Sequence, residues 1–430
     1  MMRKFADRLV WFRRRLFFRA SRETMTILIP FLIIGTFSIV IANSFLTPSG
    51  FGASILHIGD FVDNFKVINR VLNLITSWTT GLLALFASFK NAEVTARLKH
   101  NETRFVGLAG MITYIILVCL PTGVLPLKMP IDSSPLAAIR GPLSIQGLLL
   151  GLIVGYLVAQ IFSYYEEHGK VGGNVEYKFL WPISISFLMA IIFGGFLLWL
   201  NNIGVFSALS TGIRSYSSQK DGLMLTIVGS IMTGILNWIG LSGPFDYSDA
   251  TQSSVLASQN AIYALQHNSI WKVPYPFSQL ALYHSYATYG GVGATLALMI
   301  AIVIMTRNKK DLLTVRWGLF PALFNSNSIL MLGLPIFFNV VYLVPFVLVP
   351  VINMLVAAAL ITMHIIPPVP FPVPNGTPGP LIAFVGTSGN FSALIAGVLI
   401  LAMDVFIYLP FVKFNNHVNN IYRLTHGKEE

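Results

Sequence analysis

The chain has 430 residues, of which 55% are hydrophobic and only 10% are charged. Soluble domains carry roughly a quarter charged residues, so this composition excludes a single soluble globule and is typical of a polytopic membrane protein. The formal net charge of +11 would also suit nucleic-acid binding, and the placement of the basic residues along the chain decides between the two kinds of partner.

The first 24 residues mix arginines with Trp11 and several phenylalanines and leucines. This mixture predicts an interfacial helix at residues 1–24, lying on the anionic cytoplasmic surface of a membrane. We expect the helix to anchor the topology of the chain rather than to regulate it.

Apolar runs follow along the rest of the chain, and a bilayer span takes about 20 such residues. With the N-terminus in the cytoplasm, most of the 28 Lys and Arg residues fall on the cytoplasmic side, as the positive-inside rule expects. Topology therefore explains the net charge, which argues against a nucleic-acid partner and predicts that both termini are cytoplasmic. The runs, about ten in all, lie near residues 25–45, 71–89, 105–124, 145–164, 180–200, 222–241, 291–306, 318–336, 338–366 and 382–411.

The spans divide into two halves of different polarity. Residues 25–201 carry few polar residues, whereas residues 202–411 are interrupted by Gly, Pro, Asn and Ser; residues 412–430 form a cytoplasmic tail. Interrupted, polar backbone at membrane depth survives only where it is packed in protein or lines a wet cavity, so we expect the transport site in the second half. The interruptions begin at Asn237, Phe324 and Pro367.

Ionisable residues are scarce in this second half. Asp404 could serve a proton or sodium carrier, or its carboxylate could simply hydrogen-bond a neighbouring helix. The single cysteine, Cys119, excludes a disulfide framework. Motifs for metal hydrolysis, ATP binding or dinucleotide binding do not occur in the sequence, so we expect no metal, cofactor or catalytic residue of those kinds. The other ionisable groups near the interruptions are Asp246, Asp249, His284 and His364.

Neutral hydrogen-bonding groups dominate the interruptions and stand beside aromatic residues. A sugar hydroxyl that leaves water must regain its hydrogen bonds, and the C–H faces of a sugar pack on aromatic rings, so this mixture suits an uncharged, polyhydroxylated ligand. Asn and Ser can equally join transmembrane helices. The groups are Asn237, Ser242, Asn325, Ser326, Asn327, Ser328, Asn339, Asn375 and Thr377, with Trp238, Tyr247 and Phe371.

Several motifs, read together, resemble the membrane IIC component of the lactose/cellobiose/chitobiose group of the bacterial sugar phosphotransferase system. The most specific is GLPIxxNxxxxxPFxLxP, which runs from Gly333 to Pro350 in the same spacing. The others are PFLIIGTF at Pro30, GLSG at Gly240, VPFPVPNGTPG at Val369 and IYLPF at Ile407.

The resemblance implies an all-α elevator-type sugar transporter of the bacterial cytoplasmic membrane. It further implies about ten transmembrane helices with two re-entrant hairpins, a homodimer, a dimerising N-terminal half and a sugar-binding C-terminal half that moves. In the family, sugar is phosphorylated by a phosphocysteine on a IIB component that is itself charged through IIA. Because the chain has no thiol besides Cys119, we expect IIB and IIA to be separate cytoplasmic proteins.

The chain departs from the family at the residues thought to bind or polarise the sugar hydroxyl that receives phosphate. Ser242 stands where the family has histidine in its G-[IL]-H-G motif, and Ser328 stands where it has the glutamate of N-E-P. Phe371 replaces the tryptophan of V-P-W-T-T-P. A serine can hydrogen-bond a hydroxyl, but at neutral pH it cannot take its proton.

Our main hypothesis is a permease for a disaccharide of the cellobiose, chitobiose or lactose type, with Asp246 or Asp249 replacing the lost groups. One alternative is a divergent relative that moves a glycan without phosphotransfer. Another is a receptor or accessory subunit that senses a glycan without a transport cycle. The predicted substrate-binding residues are Asn237, Ser242, Asp246, Asn325, Asn327, Ser328 and Phe371.

Overall fold

The structure, a computed structural model, describes residues 2–57, 65–122, 141–167, 179–204, 222–247, 255–334 and 336–426. Within these ranges the chain is helical, and its only extended pairing is an isolated bridge between Gly50 and Asn375. The predicted all-α fold class is confirmed.

The described residues up to residue 204 form eight α-helices, numbered in chain order. They are α1 (Met2–Arg13), α2 (Leu16–Phe45), α3 (Phe51–Ser54), α4 (Phe65–Thr79), α5 (Leu83–Leu98), α6 (Val106–Thr122), α7 (Leu148–Glu167) and α8 (Leu180–Asn202). Short 3₁₀ turns at Thr80–Leu82 and Ile145–Gly147 precede α5 and α7.

The described chain from residue 222 onward forms further α-helices, with a π-helix at Leu280–Ala287 and 3₁₀ turns at Pro244–Tyr247 and Gly379–Leu381. The helices are α9 (Leu223–Ile239), α10 (Val255–His267), α11 (Thr295–Met305), α12 (Lys309–Leu323), α13 (Ser328–Gly333), α14 (Val340–Thr362), α15 (Ile382–Gly386) and α16 (Phe391–His426).

Many of these helices are suited to a membrane. In the described part of the chain, six helices are long and apolar enough to cross a bilayer, and Val106–Pro121, Leu223–Ile239 and Thr295–Met305 are shorter apolar helices. These lengths and compositions are those of a polytopic membrane protein. The total of about ten spans and the re-entrant character of the hairpins remain predictions.

The helix boundaries differ from the predicted runs, as three examples show. α2 begins at Leu16, inside the predicted interfacial segment. The run predicted at residues 318–336 is split between α12 and α13, because Asn325 adopts a left-handed backbone with φ 62° that a helix cannot contain. α16 continues to His426, so the predicted tail at residues 412–430 begins as helix.

The chain forms two compact units. The first consists of Met1–Leu32 and Ser77–Ser210, and the second of Ile33–Thr76 and Thr211–Glu430. The predicted N-terminal half included residues 33–76, which the structure groups with the second unit. Which part dimerises and which part moves stays a prediction.

In the first unit, α5 and α7 pack at very short range. A Cβ added at Gly151 would lie 2.3 Å from the carbonyl oxygen of Ala84, and one at Gly155 would lie 2.4 Å from that of Ser88. The buried Asn91 donates from its amide to the carbonyl of Leu152 at 2.6 Å. Small residues and a buried amide are the usual means by which apolar helices associate in a membrane.

In the second unit, two helix termini are fixed by their capping residues. α9 ends at Ile239 and is capped by Gly240, whose left-handed φ of 92° costs glycine little. Asn339 caps the start of α14, and its side chain accepts a hydrogen bond from the Val341 N–H at 3.2 Å.

Candidate functional site

A cavity of about 640 Å³ lies within the second unit. It falls in the range of roughly 300–1,000 Å³ that is typical of small-molecule sites. Its walls come from the end of α2, the chain after α9, the π-helix and the turn after it, the break between α12 and α13, and the loop before α15. The lining residues are Ile39, Val40, Asn43, Ser44, Asn237, Phe245, Asp246, Tyr283, His284, Thr288, Gly291, Val292, Phe324, Asn325, Ser326, Asn327, Ser328, Val373, Pro374, Asn375, Gly376, Thr377 and Ile382.

Asp246 is fixed at the cavity by the chain that follows α9. Its Oδ2 accepts a hydrogen bond from the Asn237 amide at 2.6 Å and another from the Gly243 N–H at 2.6 Å. The Asn237 amide also donates to the Thr233 carbonyl at 3.1 Å. The left-handed turn at Gly240 brings the carboxylate back beside the end of α9, so Asn237 and Asp246 form one polar group.

The protonation of Asp246 reflects two opposed effects. Desolvation by the surrounding protein raises the pKa of the carboxyl above its ordinary value, although the residue is partly open to the cavity. The hydrogen bonds from Gly243 and Asn237 act in the other direction and lower the pKa. Because the net pKa is raised, Asp246 gains a proton at a higher pH than an unperturbed aspartate.

Asn325 joins two of the cavity walls. Its Oδ1 accepts a hydrogen bond from the Gly290 N–H at 3.1 Å, and its amide donates to the Thr377 carbonyl at 3.3 Å. Asparagine tolerates the left-handed backbone that this position adopts. Asn325 thus holds the break between α12 and α13 against both the turn at residue 290 and the loop at residue 377.

Asn327 and Ser328 line the cavity from the same break. The Asn327 amide donates to the Val292 carbonyl at 3.3 Å. Ser328 begins α13 and is half-buried. Both residues present neutral polar side chains to the cavity, which can pair with ligand hydroxyls.

Aromatic residues form another part of the wall. The rings of Phe245 and Tyr283 meet edge to face, with centroids 4.7 Å apart. His284 follows Tyr283, and its Nε2 lies 3.2 Å from the amide nitrogen of Gln279. The cavity therefore combines amides, hydroxyls, one carboxylate, one imidazole and aromatic faces.

The structure brings together Asn237, Asp246, Asn325, Asn327 and Ser328 among the predicted site residues. Ser242 and Phe371 are half-buried and do not line this cavity. The loop before α15 reaches the cavity through Val373 and the residues after it, while the Phe371 N–H donates to the Gly386 carbonyl at 3.2 Å.

Two other predicted residues have different positions. Trp238 donates from its indole N–H to the Asn339 carbonyl at 3.1 Å and is not among the lining residues. Asp249, the second carboxylate considered for the site, lies outside the described residues.

Several lining residues were not singled out from the sequence as site residues. Asn43 and Ser44 stand at the end of a long apolar helix, where the sequence shows only the close of a span. The backbone at Asn375 fixes this region, because its carbonyl accepts the Phe51 N–H and its N–H donates to the Ser49 carbonyl, both at 2.9 Å. The segments that pair here, near residues 50 and 375, lie far apart in the chain, so no local sequence pattern predicts their contact. The π-helical residue Tyr283 and the nearby Thr288 were also missed.

The side chains that line the cavity are mostly neutral and polar, with aromatic residues beside them. Among the described residues, no group of three or more His, Cys, Asp or Glu side chains could hold a metal ion. The chemistry on offer is hydrogen bonding and aromatic packing, with Asp246 and His284 as the titratable groups beside Tyr283.

The sequence matches the profile of a family described as "Phosphotransferase system, EIIC" over residues 22–350. It is 33% identical over 128 residues to the cellobiose-specific EIIC component of Lactococcus lactis subsp. lactis (strain IL1403), a match that covers 30% of this chain and 26% of that protein. It is 24% identical over 424 residues to the lactose-specific EIICB component of Lactococcus lactis subsp. lactis, covering 93% of this chain and 69% of that protein.

The chain is also similar to a solved structure. The transporter ChbC, the IIC component from the N,N'-diacetylchitobiose-specific phosphotransferase system, is 21% identical, with a TM-score of 0.42. The alignment covers 97% of this chain and 96% of that chain.

Proposed function

The chain belongs to the EIIC family of the phosphotransferase system, and from this premise we propose that it is a permease that carries a disaccharide across the bacterial cytoplasmic membrane for phosphorylation. The observation that carries the proposal is the cavity of the second unit, where neutral polar side chains stand beside aromatic rings. The relatives named above are specific for cellobiose and lactose, which favours a substrate of that class.

The cavity suits a disaccharide for reasons of chemistry. Each sugar hydroxyl that leaves water must find a partner, and an unpaired one costs roughly 1–3 kcal/mol. Asn325, Asn327 and Ser328 supply such partners from one break in the chain. Phe245 and Tyr283 supply ring surfaces for the C–H faces of the sugar.

We assign the role of proton acceptor to Asp246. In the family, histidine and glutamate stand at the positions of Ser242 and Ser328, and neither serine can take a proton at neutral pH. Asp246 is the residue with a carboxylate among those that line the cavity. Its Oδ2 accepts two hydrogen bonds, whereas its Oδ1 has no hydrogen-bond partner within the described residues. A sugar hydroxyl at this oxygen could give up its proton as phosphate arrives.

The proposal includes partners. A IIB phosphocarrier, charged through IIA and present either as a separate protein or as a fused domain, donates the phosphate at the cytoplasmic face. The termini lie in the cytoplasm, in accord with the distribution of Lys and Arg. A homodimer is the expected assembly.

Direct measurement of sugar binding tests the substrate class. We expect the purified full chain to bind cellobiose, chitobiose or lactose by titration calorimetry, and an excess of that sugar to displace a labelled one. Binding of none of these sugars by a folded preparation would contradict the substrate assignment and favour a receptor or accessory role.

The second candidate function is movement of a sugar across the membrane without phosphotransfer. Serines in place of the family's histidine and glutamate, at positions 242 and 328, favour it. A protein of this kind would exchange labelled sugar across a liposome membrane without any energy source. Exchange that requires a phosphorylated IIB protein would count against this candidate.

The contribution of a single cavity amide is measurable at Asn327. We expect Asn327→Leu to weaken sugar binding by about 1–3 kcal/mol, because leucine leaves ligand hydroxyls unpaired. Titration calorimetry on the folded variant measures the effect. Ser392→Ala, at a serine that bonds Asn390 outside the cavity, is the control; equal affinities for both variants would remove Asn327 from the site.

A further inference from the structure

A second polar cluster lies in the second unit and contributes no residue to the cavity lining. Asp404, on α16, is fully buried, and so is Asn353, on α14. The Asn353 amide donates to Asp404 Oδ2 at 2.8 Å and to the carbonyl of Tyr286 at 3.2 Å. The cluster of Asp404, Asn353, Tyr286 and Tyr289 thus joins two long helices to the π-helix and its following turn.

The cluster holds more hydrogen-bonding capacity than it uses. Among the described residues, Asp404 Oδ1 and Asn353 Oδ1 accept no hydrogen bond, and the hydroxyls of Tyr286 and Tyr289 have no partner. Buried polar atoms are normally satisfied. Several unsatisfied oxygens within one cluster therefore indicate a site that takes up something further.

The ion pairs in the described part of the chain do not include Asp404. In the described part of the chain, the titratable groups that interact electrostatically with Asp404 are Tyr289, in the turn after the π-helix, and Tyr408, on the same helix as Asp404. Tyr286 interacts in turn with Tyr289, and Tyr342 of α14 with Tyr408. A buried carboxylate without a cation is strongly disfavoured and resolves this by taking up a proton.

We propose that Asp404 is a proton-binding site, held as a neutral carboxylic acid, whose occupancy controls the wall of the cavity. The step is a simple protonation: the carboxylate takes a proton from solvent and an O–H bond forms at the carboxyl. The new O–H is a donor, and the cluster contains acceptor oxygens that lack one.

The cluster and the cavity share one segment of chain. Tyr283, His284 and Thr288 line the cavity, while the backbone of Tyr286 and the side chain of Tyr289 belong to the cluster. The Tyr408 hydroxyl donates to the Gly293 carbonyl and so attaches α16 to the end of the same segment. Loss of the proton would leave a buried charge against this segment, and relieving that charge requires water or a movement of the wall.

This inference rests on the proposed function only where it concerns sugar affinity. We expect the affinity to be constant at low pH and to fall by up to about tenfold per pH unit once Asp404 loses its proton, which is the limit for one linked proton. Asp404→Asn, a neutral isostere, should keep the low-pH affinity across the whole range. His284→Gln, which removes the imidazole at the cavity, should leave the fall at high pH in place.

Infrared spectroscopy tests the proton directly and needs no sugar. The wild-type chain should show a carboxylic-acid C=O band at about neutral pH that is absent from Asp404→Asn. If that variant does not fold, Asn353→Leu replaces it, because removal of the amide donor should shift the same band. A protein that binds no sugar but shows the band would contradict the proposed function and still support proton binding at Asp404.

Three results would overturn the proposal. The first is a wild-type spectrum without the carboxylic-acid band. The second is sugar affinity that depends on sodium at constant pH, which would assign the cluster to a metal cation. The third is a folded Asp404→Asn variant whose affinity falls with pH as the wild type's does.

Discussion

Asp246→Asn is expected to lower sugar phosphorylation by roughly 10²–10⁴-fold, the usual contribution of a general base. The asparagine keeps the shape of the side chain and can still accept the bonds that Asn237 and Gly243 now donate to Oδ2, but it cannot take a proton from a sugar hydroxyl. Sugar binding should therefore change by less than about tenfold. Phosphotransfer and equilibrium binding, measured on the same preparation, separate the two effects.

The pH dependence gives the same prediction an independent readout. A base must be ionised, so the wild-type rate should fall as the pH drops through the pKa of Asp246. Because desolvation raises this pKa above its ordinary value, the fall should begin at a higher pH than for an exposed aspartate. The acidic limb should be absent from Asp246→Asn.

The control makes the same chemical change elsewhere. Asp311 lies in the first turn of α12, away from the cavity lining, and Asp311→Asn should phosphorylate sugar at the wild-type rate. If Asp246→Asn phosphorylates sugar normally while His284→Gln does not, the proton acceptor is His284 instead.

Gly290→Ala should disrupt the fold of the site severely. The backbone at Gly290 is left-handed, with φ 82°, and an added Cβ would lie 2.4 Å from the backbone nitrogen of Leu296. A backbone atom cannot rotate away as a side chain can, so the turn at Gly290 must move. The movement would displace the Gly290 N–H that donates a hydrogen bond to Asn325 Oδ1. We expect a loss of about 3–5 kcal/mol in stability and sugar affinity below detection.

Gly389→Ala is the matched control for this variant. Gly389 is also left-handed, with φ 88°, but its nearest neighbour to an added Cβ is the Phe384 ring at 3.7 Å. This variant should carry only the conformational cost of about 1–2 kcal/mol. Thermal unfolding in detergent compares the two; equal shifts in melting temperature would show that the contact with Leu296 is not important.

The sequence predicted the membrane fold and the places where the helices break. Gly240 and the FNSNS segment were readable because glycine, asparagine and serine interrupt otherwise apolar runs. The same local signal identified Asn237, Asn325 and Asn327 as predicted site residues, because each lies at such an interruption. The helix breaks at these positions follow directly from local chemistry.

The remaining parts of the site depend on contacts that local patterns do not encode. The bridge between Gly50 and Asn375 brings the end of α2 to the loop before α15 across most of the chain. Tyr283 lies in a π-helix. The wider turn of a π-helix changes which residues share a face, so the 3.6-residue period of an α-helix does not predict that Tyr283 lines the cavity. Phe371 was predicted by motif position, but the loop turns so that Val373 lines the cavity.

The measurement that tests the permease assignment most directly is transport into liposomes that contain the purified chain, with a phosphorylated IIB protein either enclosed in the lumen or left out. Labelled cellobiose, chitobiose and lactose are supplied outside. A sugar permease of the phosphotransferase system should accumulate labelled sugar phosphate in the lumen only when phosphorylated IIB is present. Free sugar that equilibrates equally with and without IIB, and with no sugar phosphate formed, would contradict the assignment.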